Sequence, residues 1–255
     1  IGRIARRSLL PFVGFSPTTA HAVRVEPYPV VHFDQTAIAR LAAEHFLQHG
    51  YRHFAYYGIQ PGANMQWDQE RLTAFDAILR TAGFRVFVCA PPYCRRSIEI
   101  KHAQVLVPWL QRLPRPVGIF CANDARAQHV LEGCRLAGLR VPDDIGVIGV
   151  DNDETICRST NPPLTSIQHD FELIAGKIIK LMALQLKGQC VKSRIIAVRP
   201  AGIATRGSTN TLCGDRRLVK ASRFIETNIH QPIGTPDVAQ HLGISRSTLD
   251  RLAVK

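Results

Sequence analysis

The stretch VGIFCANDARAQHVLEGCRLAGLRVPDDIGVIGVDNDE, residues 117–154, decides the fold. VGIFC (117–121) is an apolar run of strand length, and DARAQHVLEGCRLAG (124–138) has helical spacing with Gly138 where a helix stops. DIGVIGV (144–150) is a second apolar run. Strand, helix and strand in this order predict a βαβ unit on a mostly parallel sheet.

The same alternation extends toward the N-terminus. LLPFVGF (9–15), HFAYYG (53–58) and FRVFVC (84–89) read as strands, and TAIARLAAEHFLQHG (36–50), ERLTAFDAILRTAG (70–83) and IEIKHAQVLVPWLQRL (98–113) as helices. Ile38, Leu41, Ala42, His45 and Phe46 fall at three-and-four spacing, and Gly50 and Gly83 close their helices. Beyond 150 the pattern changes. NPPLTS (161–166) breaks regular structure, FELIAGKIIKLMALQLKG (171–188) is a strongly apolar helix, SRIIAVRP (193–200) a strand and AGIATRGSTN (201–210) a linker. From Arg216 onward short helical pieces predict a small all-helical segment, which places a domain boundary at 208/209.

Within that segment, TPDVAQHLGISRSTLDRL (235–252) has the spacing of a helix-turn-helix. Thr235 caps a helix with Pro236 at its first position and Asp237 in its first turn, Gly243 ends it, and Ser245 caps the next. Val238, Ala239, Leu242, Ile244, Leu249 and Leu252 share the apolar corner. The second helix then offers Ser245, Arg246, Ser247, Asp250 and Arg251 to a major groove, with Arg246 suited to a guanine edge or a phosphate. A hairpin that merely packs is the alternative.

Three polar stretches sit near the ends of predicted parallel strands, where open α/β sheets bind ligands: WDQER (67–71), CANDARA (121–127) and GVDNDE (149–154). A sugar suits them. Asp151 can accept from adjacent hydroxyls, Asn123 and Asp124 add short polar contacts, Arg71 donates a fork, and Trp67 can cover a pyranose face. Taken singly, Asn123 and Asp124 also read as caps of a helix starting at Ala125, and Asp151 and Asn152 as a turn.

Composition narrows the class. With 255 residues and 45% hydrophobic content, neither a disordered tail nor a disulfide scaffold fits. No apolar run approaches the ~20 residues of a membrane span. The opening GRIARRSLLPFVGFS lacks a small-residue cleavage site, so a cytoplasmic protein with reduced thiols is expected. The formal net charge of +12 predicts an anionic partner, and residues 205–255 carry eight basic against four acidic side chains. No GxSxG, P-loop or strand-following GxGxxG occurs, so neither an enzyme nor a cofactor is expected. His45 and His49 in HFLQH lack the Glu of a zinc motif and read as a solvated helix face. Cys89 and Cys94 have no second pair, so no metal is expected either.

RLAAEHFLQHGYRHFAYYG (40–58), WDQER (67–71), NDARAQHVLEGCRLAGLRVPDDIGVIGVDNDE (123–154) and PPLTSI (162–167) resemble the sugar-binding region of lactose/galactose-repressor-type (LacI/GalR) regulators. The resemblance covers roughly residues 9–208 and implies periplasmic-binding-protein-like (type 1) parallel-sheet lobes. It places Arg71, Asp124 and Asp151 near an effector pocket, with Asn123 as a further candidate and Trp67 in the matching WxxER segment. Leu218 to Leu252 resembles the first helix-turn-helix of arabinose-activator (AraC) regulators. Sugar domain first and helix-turn-helix second is the order of xylose-responsive regulators. The resemblance thus implies a sugar effector, xylose, together with operator DNA and a homodimer, and no membrane. Against it, the N-terminal lobe is expected to be incomplete and the AraC-type domain to stop after its first helix-turn-helix. A stand-alone carbohydrate-binding protein and a sugar-acting enzyme are the other readings.

Overall fold

VGIFC and DIGVIGV lie side by side as parallel strands, with Val117 against Ile145 and Phe120 against Ile148. The computed structural model describes residues 11–16, 28–59, 65–89, 99–189, 191, 195–209, 217, 220, 221, 224, 225, 228 and 230–253. Among these, the strands are β1 (Gly14–Ser16), β2 (Val30–Phe33), β3 (His53–Tyr57), β4 (Val86–Cys89), β5 (Val117–Cys121), β6 (Ile145–Val150), β7 (Thr165–Gln168), β8 (Ile195–Val198) and β9 (Gly202–Ala204). The helices are α1 (Gln35–Gln48), α2 (Gln66–Thr81), α3 (Glu99–Arg112), α4 (Asp124–Leu136), α5 (Glu154–Ser159), α6 (Phe171–Leu186), α7 (Thr235–Leu242) and α8 (Arg246–Ala253).

The larger sheet runs β4-β3-β5-β6-β7-β9, parallel except for β9, which is antiparallel to β7. Helices cover both of its faces, which is why β3, β5 and β6 read as unbroken apolar runs. Alternate side chains enter two cores. Phe54, Tyr56, Phe120, Ile148 and Val150 meet Ile38, Phe46, Phe75 and Leu79 of α1 and α2. Ala55, Tyr57, Ile119 and Val147 meet Leu106, Leu110, Val130 and Cys134 of α3 and α4. On the α1 side the Phe46 ring lies so close to β5 that a Cβ on Gly118 would stand 2.6 Å from it. Glycine is therefore the residue that admits α1 to the sheet.

The smaller sheet, β1-β2-β8, is parallel throughout. Val31, Ile174, Leu181 and Val198 form its core beneath α6. The chain crosses between the sheets three times, from β2 to α1, from β7 through α6 to β8, and from β8 to β9. At the first crossing Asp34 caps α1 by accepting from the Ala37 amide at 2.9 Å, while its own N–H donates to Val198 at 2.9 Å.

Several expectations are corrected. The first strand is Gly14–Ser16 rather than 9–15, and its expected beginning, 9–10, lies outside the described residues. Residues 161–166 are only partly irregular, because Thr165 opens β7. The expected linker 201–210 contains β9, and Ser208 and Thr209 are fully buried. His45 is not on a solvated face: it is buried, its Nε2 2.8 Å from Thr209 Oγ1, because the segment after β9 folds back over α1. Burial holds its pKa down at about 4, with His49 adding to the shift.

Candidate functional site

The strand ends of β3, β5, β6 and β7 open on the same side of the larger sheet, and the polar stretches gather there. Arg71 sits on α2 and is 2% exposed. Its Nε and Nη2 donate to Gln35 Oε1 at 3.0 and 2.8 Å, and its Nη1 donates to the Ala122 carbonyl at the end of β5. Burial pulls its pKa down, while the charges of Asp151, Asp68 and Asp124 hold it up. The guanidinium carbon lies 4.9 Å from the centroid of the half-buried Trp67 ring, so one indole face is already occupied.

Asn123 is the cap of α4, accepting from the Arg126 amide at 3.0 Å. The helix begins at Asp124, not Ala125, and Asp124 is no cap. Its carboxylate turns inward. Oδ1 accepts from Ser166 Oγ at 2.6 Å, and Oδ2 accepts from the Asp153 amide at 2.8 Å, with the Cys157 thiol at 3.5 Å. Burial pushes its pKa up to about 6 against these hydrogen bonds, and neighbouring Asp151 pushes the same way. The close approach fixes Gly149, where a Cβ would fall 2.1 Å from Asp124 Oδ1.

Asp151 is different. It and Asn152 form the expected turn, with φ of 112° and 54°, a left-handed pair of non-glycine residues that costs about 1–3 kcal/mol per residue unless held. Ile167 O accepts from the Asp151 amide at 3.0 Å, and Ser166 Oγ from that of Asn152 at 3.0 Å. The Asp151 carboxylate is half exposed, and Oδ1 lies 3.1 Å from Nε2 of the buried His169, whose ring stacks on Phe33 of the smaller sheet at 3.8 Å. Of the three predicted charged groups, then, Asp151 faces outward, while Arg71 and Asp124 are buried, Arg71 committed to Gln35 and Ala122 and Asp124 to the Asp153 amide and Ser166.

Sequence reasoning missed several members of this cluster. Asp68 accepts from Tyr56 Oη at 2.6 Å and from the Ile59 amide at 2.9 Å, and burial raises its pKa. Gln35, Ser166, His169 and Arg206 are the others. Asp68, inside the WDQER segment, and Ser166, inside PPLTSI, were the ones with a signal. A separate depression of about 690 Å³ between α1 and α2 has Asp34, Gln35, Gln66, Glu70 and Ala74 among its lining residues.

At the C-terminal end, α7 and α8 meet around Gly243, whose φ is 63°. Gly234, not Thr235, precedes the first turn, because the Asp237 carboxylate accepts from the Gly234 amide at 2.7 Å and draws the helix start back by one residue. Ser245 Oγ accepts from the Thr248 amide at 3.2 Å, as a cap does. Val238, Ala239 and Leu249 pack with Ala221, Phe224, Leu242 and Ile244. Ser245, Arg246, Ser247, Asp250 and Arg251 are all exposed.

A family model described as a periplasmic binding protein-like domain matches residues 43–209. The chain belongs to that family. The matched segment ends on Thr209, the residue tied to His45. Among the family's regulators, the chain is 27% identical over 249 residues to the xylose operon regulatory protein of Haemophilus influenzae, covering 97% of this chain and 64% of that protein. It is 30% identical over 236 residues to its namesake in Escherichia coli K12, covering 89% of this chain and 59% of that protein. The chain thus spans about three fifths of the length of these relatives. A solved structure of the xylose-binding transcription activator xylR superposes with a TM-score of 0.78 at 26% identity, covering 98% of this chain and 66% of that one. A LacI-family regulator from Enterococcus faecalis with bound ribose shares the fold, with a TM-score of 0.62 at 23% identity, over 82% of this chain and 72% of that one. Among the described residues no helix is long and apolar enough to cross a membrane, and no group of three His, Cys, Asp or Glu residues is placed to hold a metal.

Proposed function

We propose that this chain is the effector-sensing part of a transcriptional regulator, with xylose as its effector, and that it binds its sugar without turning it over. In this reading residues 1–208 form the sugar-binding domain, and residues 209–255 carry the first helix-turn-helix of the DNA-reading domain. Arg246 and its neighbours Ser245, Ser247, Asp250 and Arg251 face operator DNA, and the regulator works as a homodimer in the cytoplasm. The observation that carries it is the outward Asp151 carboxylate at converging strand ends, an acceptor suited to adjacent hydroxyls, beside a buried Asp124 that holds the same turn through the Asp153 amide and Ser166. The names of the relatives supply the sugar. Closure of the two sheets' lobes over the sugar then changes how paired reading heads are presented, by as much as the sugar prefers one lobe arrangement to the other.

Thermal unfolding with xylose, arabinose, ribose, galactose and glucose tests it, because a ligand that binds only the native state raises stability with its affinity. Xylose is expected to raise the midpoint and the others to do so less. Asp151→Ala is expected to weaken xylose binding at least about tenfold, or about 1.4 kcal/mol. A midpoint unmoved by all five sugars contradicts the reading.

A further inference from the structure

We propose that Arg206 is a positioning residue of the effector site, which holds the Asp151–Asn152 turn through the side chain of Asn152; the identity of the ligand rests on the sugar-sensing reading above. Two consecutive non-glycine residues in the left-handed region persist only where their surroundings over-determine them. Backbone bonds to Ile167 and Ser166 fix one side of this turn. The other side is fixed from 54 residues away in sequence, where Arg206 Nη2 donates to Asn152 Oδ1 at 2.8 Å. Arg206 Nη1 donates to the Leu164 carbonyl at 2.8 Å, and Nη2 lies 3.6 Å from Glu154 Oε1. The Arg206 side chain is only 17% exposed. A planar fork is required to serve Asn152 and Leu164 at once.

The same residue is fastened by its backbone. Its N–H donates to Thr165 Oγ1 at 2.8 Å, and the Thr165 hydroxyl lies 3.1 Å from its carbonyl. Two residues on, Ser208 Oγ accepts from the Thr165 amide at 2.8 Å and donates to the Val147 carbonyl at 2.7 Å. Arg206 therefore joins the turn that carries Asp151 to the segment leading toward α7 and α8. A ligand that shifts Asp151 shifts the anchor of that segment, and by linkage the reverse holds.

Amide exchange and xylose titration on the full chain test this. Arg206→Met is expected to accelerate exchange at the Asn152 and Asp153 amides at least about tenfold, while Phe46 and Phe54 keep their wild-type rates. It is also expected to weaken xylose at least about tenfold. Asn152→Ala, which leaves the Arg206 bonds to Leu164 and Thr165 in place, is expected to do the same. Asn152→Asp keeps the acceptor and is expected to retain affinity within about threefold. The double variant Arg206→Met with Asn152→Ala should bind no more than about threefold worse than either single one, since both cut one link. Unchanged exchange at Asn152 and Asp153, or losses that multiply, would overturn the assignment. If Arg206→Met does not fold, the two Asn152 variants decide it. If the wild-type chain binds none of the five sugars, the sugar reading falls, and exchange at Asn152 and Asp153 alone decides whether Arg206 positions the turn.

Discussion

Asp124 and His45 are both buried titratable groups, and their shifts pull stability in opposite directions with pH. Asp124 has a folded pKa raised to about 6, so its contribution favours the fold at low pH and is lost as pH rises through that value. His45 has a folded pKa lowered to about 4 from 6.5, so the unfolded chain binds the extra proton between those values. Its burial therefore costs stability as pH falls from 6.5 to 4. Comparing the wild type with His45→Gln isolates this effect, because Asp124 is common to both. The wild type is expected to lose about 2 kcal/mol relative to the variant between pH 7.5 and 4, a figure discounted for partial solvent screening, as read by urea unfolding. A flat difference across that range would place the His45 ring in solvent. Gly149 offers a test of the site itself. Gly149→Ala puts a Cβ into the Asp124 carboxylate, breaking its bond to Ser166, and is expected to destabilise the chain by about 1–3 kcal/mol in the same assay.

At the scale of elements, the parts legible in the sequence are those whose pattern comes from burial on two faces. β3, β5 and β6 are short apolar runs because helices cover both sides, and α1, α2 and α4 show their periods and closing glycines for the same reason. β7 and the segment after β9 bury Thr165, Ser166, Ser208 and Thr209 as completely, yet they are spelled TSIQ and RGST. Their polarity is absorbed by hydroxyls that bond across the chain: Thr165 and Ser166 in β7, Ser208 and Thr209 after β9. Hydropathy cannot distinguish such hydroxyls from those of a solvated loop, since the partners are distant in sequence. The site obeyed the same rule. Asp151, Arg71 and Asp124 announced themselves by charge near strand ends, whereas Gln35 and Arg206 became visible only through their partners. Ser208→Ala tests the weight of these hydroxyls. It leaves the Thr165 amide and the Val147 carbonyl without their partner, and is expected to cost about 1–3 kcal/mol in thermal or urea unfolding. A loss within about 0.5 kcal/mol, typical of a surface change, would mean that the segment is a loop after all.

For the molecule as a whole, the question is where the α/β unit ends. The smaller sheet takes β1 and β2 before the larger sheet begins and β8 after β7, β8 entering by way of α6 and the chain leaving again into β9. Residues after β9 then complete the larger sheet's polar core through Arg206, Ser208 and Thr209, and the described helices beyond gather around a separate cluster of Ala221, Val238, Ala239 and Leu249. Stability of the α/β unit should therefore depend steeply on whether the chain reaches Thr209 and only weakly on the residues C-terminal to it. A version ending at Thr209 is expected to keep its midpoint within about 4 °C of the full chain, the shift that about 1 kcal/mol produces at this size. One ending at Ala204 removes the partners of Thr165, Val147, Asn152 and His45 together, and at about 1–3 kcal/mol for each buried group left unpaired it should melt at least about 10 °C lower or fail to fold. Equal midpoints for the two would move the boundary back to β9 and make residues 205–209 a connector, while a large loss in the version ending at Thr209 would make the C-terminal helices part of the same cooperative unit.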